Sequence, residues 1–213
     1  MTAEPRDWVE WHRAYDDPSS RLSRRLAVVQ RELRRALDEQ EGPLRIISMC
    51  AGEGRDVIPV LARHPRRAEV SALLVELDPH KAAAARAAAT GAGLSSVDVV
   101  EADAALLDSY AGAAPAQIVL ACGVFGNITE EDIRRTIRYL PCLCAARATV
   151  IWTRGHFGGG RDVAQDIRRW FDKAGFEELA YESSDSLFRV GAHRLVARPK
   201  PIEAGVPMFR FFR

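Results

Sequence analysis

The chain has 213 residues, which suits one compact domain, and hydrophobic residues make up 47% of it, enough for a sizeable core. Its formal net charge is only +1, so the composition gives no electrostatic sign of a nucleic-acid or anionic-membrane partner. The sequence begins without a basic stretch followed by an apolar one, and no apolar run reaches the length of a membrane span. We therefore expect a cytoplasmic protein.

The four cysteines, at positions 50, 122, 142 and 144, do not suggest a metal site. They form no C-x-x-C pair, and no histidine stands at a spacing that suits zinc. We expect reduced and mostly buried thiols, and no metal.

The first 43 residues are predicted to form a helical cap. Apolar residues recur at helical spacing over 22–37, and the Gly-Pro pair at 42–43 ends the pattern. Aromatic residues and a histidine, among them Tyr15 and His12, cluster before this helix. This cluster either closes over a bound ligand and contacts the substrate, or packs against the body of the protein.

From residue 44 the pattern alternates between short apolar runs and amphipathic segments, which predicts a parallel sheet with helices on both faces. A polar turn at 183–186 separates two further apolar runs, which predicts a closing antiparallel hairpin. Residues 44–200 would form the core, and 201–213 a tail that packs on it or makes a dimer contact. The predicted strands are 45–49, 73–76, 97–101, 117–121, 148–152, 177–181 and 187–197, and the predicted helices are 55–64, 79–92, 129–140 and 161–174.

A glycine-rich turn follows the first predicted strand, and an acidic residue ends the second. Gly52 and Gly54 allow a sharp turn and the close approach of a ligand to the backbone. A carboxylate at Glu76 can accept both hydroxyls of a ribose. Together these features are typical of a site for an adenosine-containing cofactor.

The same turn departs from the dinucleotide fingerprint G-x-G-x-x-G. The third glycine position is Val57, and Glu53 would lie near a pyrophosphate, which is electrostatically unfavourable. A cationic ligand without phosphate therefore suits this loop better than a dinucleotide.

The order and spacing of these features resemble the class I S-adenosylmethionine-dependent methyltransferases. Two positions depart from that family's first motif, because Ser48 replaces the usual acid and Cys50 replaces the first glycine. The segments similar to the family's motifs are 48–54, 75–79, 100–104 and 118–125.

The resemblance implies an α/β fold with a doubly wound, seven-stranded, mostly parallel sheet, a C-terminal antiparallel hairpin and the N-terminal helical cap. It implies S-adenosyl-L-methionine as cofactor and S-adenosyl-L-homocysteine as product, with Glu76 on the ribose and Asp103 on the adenine amino group. The implied cofactor-binding residues are Ser48, Met49, Cys50, Ala51, Gly52, Gly54, Asp56, Glu76, Leu77, Asp103, Ala104, Cys122, Gly123 and Val124.

Methyl transfer requires alignment of the nucleophile and exclusion of water, and only some acceptors need a general base. The acceptor should lie beyond the carboxyl ends of the strands. His156 and His12 are the candidate bases. His156 is explained at least as well as a surface-loop histidine, and packing against the body explains the cluster that contains His12 slightly better. The candidate substrate contacts are Tyr15, Phe125, Asn127, Trp152 and Arg154.

The acceptor is expected to be a small molecule, because the sequence contains no basic groove or nucleic-acid-binding appendage. Monomer and homodimer both remain open. Two alternatives also remain: a non-catalytic protein that binds S-adenosylmethionine or another nucleotide, and an NAD-dependent oxidoreductase, against which Val57 argues.

Overall fold

A computed structural model describes residues 17–155, 162–184 and 188–212. The candidates Tyr15, His12 and His156 lie outside these residues. The elements in chain order are α1 (Arg21–Asp38), β1 (Leu44–Met49), α2 (Ile58–Arg63), β2 (Val70–Glu76), α3 (Pro79–Gly91), β3 (Val97–Glu101), β4 (Ala116–Ala121), α4 (Glu130–Leu143), β5 (Cys144–Gly155), α5 (Ala164–Lys173), β6 (Phe176–Ser184) and β7 (Phe188–Leu195).

The seven strands form one sheet in the order β3-β2-β1-β4-β5-β7-β6. Strands β1 to β5 pair in parallel, whereas β7 runs antiparallel to both β5 and β6. The predicted mostly parallel sheet with a closing antiparallel hairpin is therefore confirmed. The strand order reverses between β1 and β4, and such a reversal creates a crevice at the carboxyl edge of a sheet.

Helices cover both faces of the sheet. Helices α1 to α3 pack on one face, where Leu33, Leu61 and Ala85 are fully buried. Helices α4 and α5 pack on the other face through residues that include Ile137 and Phe171. None of the described helices has both the length and the hydropathy that crossing a membrane requires.

Polar side chains cap two of the helices that follow strands, α3 and α4. Asp78 caps α3 by accepting hydrogen bonds from the backbone N–H groups of His80 and Lys81, at 2.9 and 3.3 Å. Thr129 caps α4 by accepting one from Asp132 N at 3.0 Å. Such caps satisfy backbone donors that have no partner within the helix.

Strand β5 is longer than the sequence pattern predicts at both ends. It begins at Cys144, which pairs with Ala116 before an irregularity in the register. It ends at Gly155, because pairing with β7 continues as far as Phe188. Trp152 therefore lies inside the strand instead of at its end.

Candidate functional site

A cavity of about 480 Å³ opens at the carboxyl edge of the sheet, where the loops after β1, β2, β3 and β4 meet. This is the usual place for a ligand in a doubly wound fold. The cavity is lined by Cys50, Ala51, Gly52, Glu53, Arg55, Asp56, Glu76, Leu77, Asp78, Lys81, Asp103, Ala104, Cys122, Gly123, Asn127, Phe211 and Phe212.

The loop after β1 turns sharply beneath the cavity. Its backbone is left-handed at Cys50, Gly52 and Gly54, with φ of 51°, 56° and 73°. A Cβ added at Gly52 would meet no atom within 4 Å, so this position leaves room on the cavity side. A Cβ added at Gly54 would lie 2.5 Å from Ile58 Cδ1, so this glycine allows the loop to pack on α2.

Replacing Gly54 with alanine is expected to lower the free energy of unfolding by about 3 kcal/mol, from backbone strain and overpacking together. Gly93→Ala is the matched control, because Gly93 also has a positive φ (66°) but has open space where its Cβ would stand. This control should lose only about 1 kcal/mol, from strain alone. Urea unfolding measures both losses, and equal losses would show that the contact with Ile58 is unimportant.

Glu76, the last residue of β2, is fixed by two backbone donors. Gly52 N donates to its Oε2 at 2.7 Å, and Asp78 N donates to its Oε1 at 3.0 Å. Each carboxylate oxygen can accept about two hydrogen bonds, so both oxygens keep capacity for a ligand. The carboxylate thus joins the loops after β1 and β2 and remains available to the cavity.

Acidic side chains outnumber cationic ones around the cavity. Arg55 Nε lies 2.8 Å from Glu53 Oε2, and Lys81 Nζ lies 3.9 Å from Asp78 Oδ2, so both cations that line the cavity are near acids that line it too. An excess of acids favours a positively charged ligand and disfavours a pyrophosphate. The acids are Glu53, Asp56, Glu76, Asp78 and Asp103.

Asp56 connects the cavity to the N-terminal helix. Burial raises the pKa of its carboxyl group, whereas the positive charge of Arg25 on α1 and a hydrogen bond with the Cys122 thiol act in the opposite direction. Burial also raises the pKa of the Cys50 and Cys122 thiols. Both thiols therefore stay protonated near neutral pH, so neither is suited to be a nucleophile.

Most of the predicted ligand contacts come together in this cavity. Ser48, Met49, Gly54 and Val124 do not line it and are buried behind it. The predicted residues that do line it are Cys50, Ala51, Gly52, Asp56, Glu76, Leu77, Asp103, Ala104, Cys122, Gly123 and Asn127.

The prediction that Phe125 and Trp152 lie at the rim of the site is wrong. Both side chains are fully buried, with ring centroids 5.9 Å apart, and both pack against Phe171. Trp152 faces the core because β5 continues beyond it. Arg154 is half-buried, donates a hydrogen bond to the main-chain oxygen of Phe125 and does not line the cavity.

The predicted set omits six residues that line the cavity. The sequence could have identified Asp78, because an Asp-Pro pair shortly after a strand is a typical helix start. No local pattern brings Phe211 and Phe212 to this cavity, since more than eighty residues separate them from the nearest of its loops. The omitted residues are Glu53, Arg55, Asp78, Lys81, Phe211 and Phe212.

No protein-family model matches the sequence, and no curated protein matches it. Among solved structures, it is similar to magnesium protoporphyrin IX methyltransferase from Synechocystis PCC 6803 with bound S-adenosylmethionine, at 15% identity and a TM-score of 0.66, over 91% of this chain and 99% of that one. It is also similar to an O-methyltransferase family protein from Burkholderia thailandensis, at 15% identity and a TM-score of 0.61, over 87% of this chain and 62% of that one. Identities this low establish the fold alone. Together with the strand order and the closing hairpin, these alignments show that the chain has the class I S-adenosylmethionine-dependent methyltransferase fold.

Proposed function

We propose that this protein transfers a methyl group from S-adenosyl-L-methionine to an oxygen or nitrogen atom of a small molecule. The observation that carries the proposal is the Glu76 carboxylate, held at the end of β2 by the N–H groups of Gly52 and Asp78. A carboxylate placed there can accept both hydroxyls of a ribose. The acidic lining favours a ligand with sulfonium and ammonium charges over NAD, whose pyrophosphate is negative.

The cavity residues divide by the loop that carries them. Glu76 would hold the ribose, while Leu77 and Asp103, after β2 and β3, would flank the adenine. The loop after β1 would hold the methionine portion, with Asp56 close to its ammonium group. Gly123, after β4, would lie beneath the sulfonium, on the side where the acceptor enters.

The cofactor supplies a methyl group that is electrophilic without further activation. The protein therefore needs mainly to orient the acceptor towards that methyl group and to exclude water. No histidine lines the cavity within the part of the chain that the structure describes. An amine acceptor needs no base once it is deprotonated, whereas a hydroxyl benefits from one, for which His156 and His12 remain the candidates.

The test of this function is transfer of label from methyl-labelled S-adenosylmethionine to a panel of small amines, phenols and alcohols. A labelled organic product that forms with the wild type but not with the Glu76→Gln variant would support the proposal. Tight cofactor binding without transfer to any acceptor would favour the non-catalytic binding protein instead.

Replacing Asp56 with asparagine is expected to weaken S-adenosylhomocysteine binding about tenfold, because the variant loses the negative charge beside the ammonium group. Burial raises the pKa of Asp56, so this carboxylate is neutralised at a higher pH than an ordinary aspartate, and the affinity of the wild type should fall as that happens. Calorimetric titrations at several pH values measure both effects. The variant should lack this part of the pH dependence, and an identical profile in both proteins would remove Asp56 from the site.

A further inference from the structure

The segment 201–212 runs back across the carboxyl edge of the sheet. Pro207 forms an antiparallel bridge with Leu106, in the loop after β3, and Phe211 forms one with Ile128, in the loop after β4. The segment therefore reaches both loops that border the cavity on that side.

Buried side chains and main-chain hydrogen bonds fix this segment in place. Within the segment, the side chains of Met208 and Phe209 are buried in the hydrophobic core. Met208 N donates to Ala105 O at 2.7 Å, and Phe212 N donates to Asn127 O at 2.9 Å. The backbone that carries the last two phenylalanines is thus held at the mouth of the cavity.

Phe211 and Phe212 keep 42% and 62% of their surface exposed while they line the cavity. The Phe211 ring packs edge-on against Phe209, with centroids 5.2 Å apart. Covering exposed aromatic surface is favourable in water, and a flat apolar molecule can cover two rings at once. The pair therefore offers an apolar surface inside a cavity whose other walls are rich in acids.

The position of the pair relative to the cofactor rests on the proposed function. With the ribose on Glu76 and the adenine beside Asp103, the cofactor would fill the part of the cavity next to β1, β2 and β3. The main-chain N–H of Phe212 instead donates a hydrogen bond to the main-chain oxygen of Asn127. The side chain of Asn127 in turn donates from Nδ2 to Gly123 O at 2.7 Å. The pair thus lies at the loop after β4, where the methyl group would face the acceptor.

We infer that Phe211 and Phe212 form the apolar wall of the acceptor site. The acceptor is a flat, largely apolar molecule that carries its nucleophilic oxygen or nitrogen at one edge. It is neutral or cationic, because the acidic lining repels a carboxylate or a phosphate.

The experiment uses N-phenyl-1-naphthylamine, a neutral dye that fluoresces in apolar surroundings, with the full-length protein saturated with S-adenosylhomocysteine. The test variant carries Phe211→Ala and Phe212→Ala together. The control is Val196→Ala, which shortens an apolar side chain that is 58% exposed and does not line the cavity. We expect the double variant to bind the dye at least about tenfold more weakly while its affinity for S-adenosylhomocysteine stays within about threefold, and the control to match the wild type.

Several outcomes would overturn the inference. Absence of dye binding by the wild type would do so, as would equal dye binding by the double variant and the wild type. Tenfold weaker S-adenosylhomocysteine binding in the double variant would place the pair on the cofactor instead, and a change from dimer to monomer in light scattering would place it in a subunit contact. Failure of the wild type to bind S-adenosylhomocysteine would reject the proposed function itself, and this inference with it.

Discussion

Replacing Glu76 with glutamine is expected to weaken S-adenosylhomocysteine binding at least about 100-fold. The change removes the negative charge that would strengthen the proposed hydrogen bonds from both ribose hydroxyls. It also creates a conflict within the protein, since Gly52 N and Asp78 N each donate to a different oxygen of this carboxylate. The amide NH₂ of glutamine must face one of these donors, and the free energy of unfolding should fall by about 1–3 kcal/mol.

Glu101→Gln is the matched control for this substitution. Glu101 ends β3 directly beside Glu76 in the register of the sheet, but it is exposed and does not line the cavity. Calorimetric titration should give the control the affinity of the wild type, with circular dichroism showing that both variants are folded. A folded Glu76→Gln variant with unchanged affinity would remove Glu76 from the site.

The second large effect concerns His193 on β7, which is buried in the core and pairs with Glu178 on β6 in the register of the sheet. Its ring stacks on Phe171, with centroids 4.3 Å apart, and neither ring nitrogen has a hydrogen-bond partner among the described residues. Burial lowers the pKa of His193 from 6.5 to about 4; Arg168 acts in the same direction, and Glu178 opposes it only in part.

The lowered pKa of His193 makes stability depend on pH in a defined direction. As pH falls, His193 binds a proton near pH 6.5 in the unfolded chain but only near pH 4 in the folded protein. The neutral ring therefore makes its full contribution to the free energy of unfolding above pH 6.5. This contribution, about 3 kcal/mol, is lost as pH falls towards 4. His193→Phe keeps an aromatic ring in the stack and removes the titrating group.

Urea unfolding of wild type and His193→Phe over this pH range tests the effect. The wild type should lose about 3 kcal/mol relative to the variant as pH falls from 7 to 4, and the variant should be at least as stable at pH 7, since it buries no unpaired nitrogen. Parallel stability curves for the two proteins would contradict the assignment.

The fold was largely predictable because its signals are local. Short apolar runs that alternate with amphipathic helices specify a parallel sheet, and the glycines after β1 together with the acid that ends β2 mark the ligand edge. Gly54 shows why the signal is reliable. Its φ is positive, and a Cβ at this position would lie 2.5 Å from Ile58 Cδ1, so any other residue would be strained there. Glu76 is equally local, since its position at a strand end determines where its carboxylate lies.

Trp152 shows where local signals fail at the end of a strand. The local pattern predicts that β5 ends at Trp152, but pairing with β7 extends the strand and places Trp152 opposite Gly191. A Cβ on Gly191 would lie 2.5 Å from the indole, so this glycine makes the space for the ring. The burial of Trp152 thus depends on a partner some forty residues away, which no pattern around Trp152 reports.

Phe211 and Phe212 show the same limit for the site itself. Their segment reads as an apolar tail, and only its bridges to Leu106 and Ile128 bring the two rings to the cavity. Contacts between distant parts of the chain therefore determine the proposed acceptor side of the cavity, whereas short motifs determine the proposed cofactor side.

Calorimetric titration of the purified protein with S-adenosylhomocysteine, with NADH as the parallel control, tests the central claim most directly. The acidic cavity and the fixed Glu76 carboxylate predict one site that binds S-adenosylhomocysteine with micromolar affinity and does not bind NADH. Binding of NADH alone, or of neither ligand, would contradict the assignment of this cavity to S-adenosylmethionine.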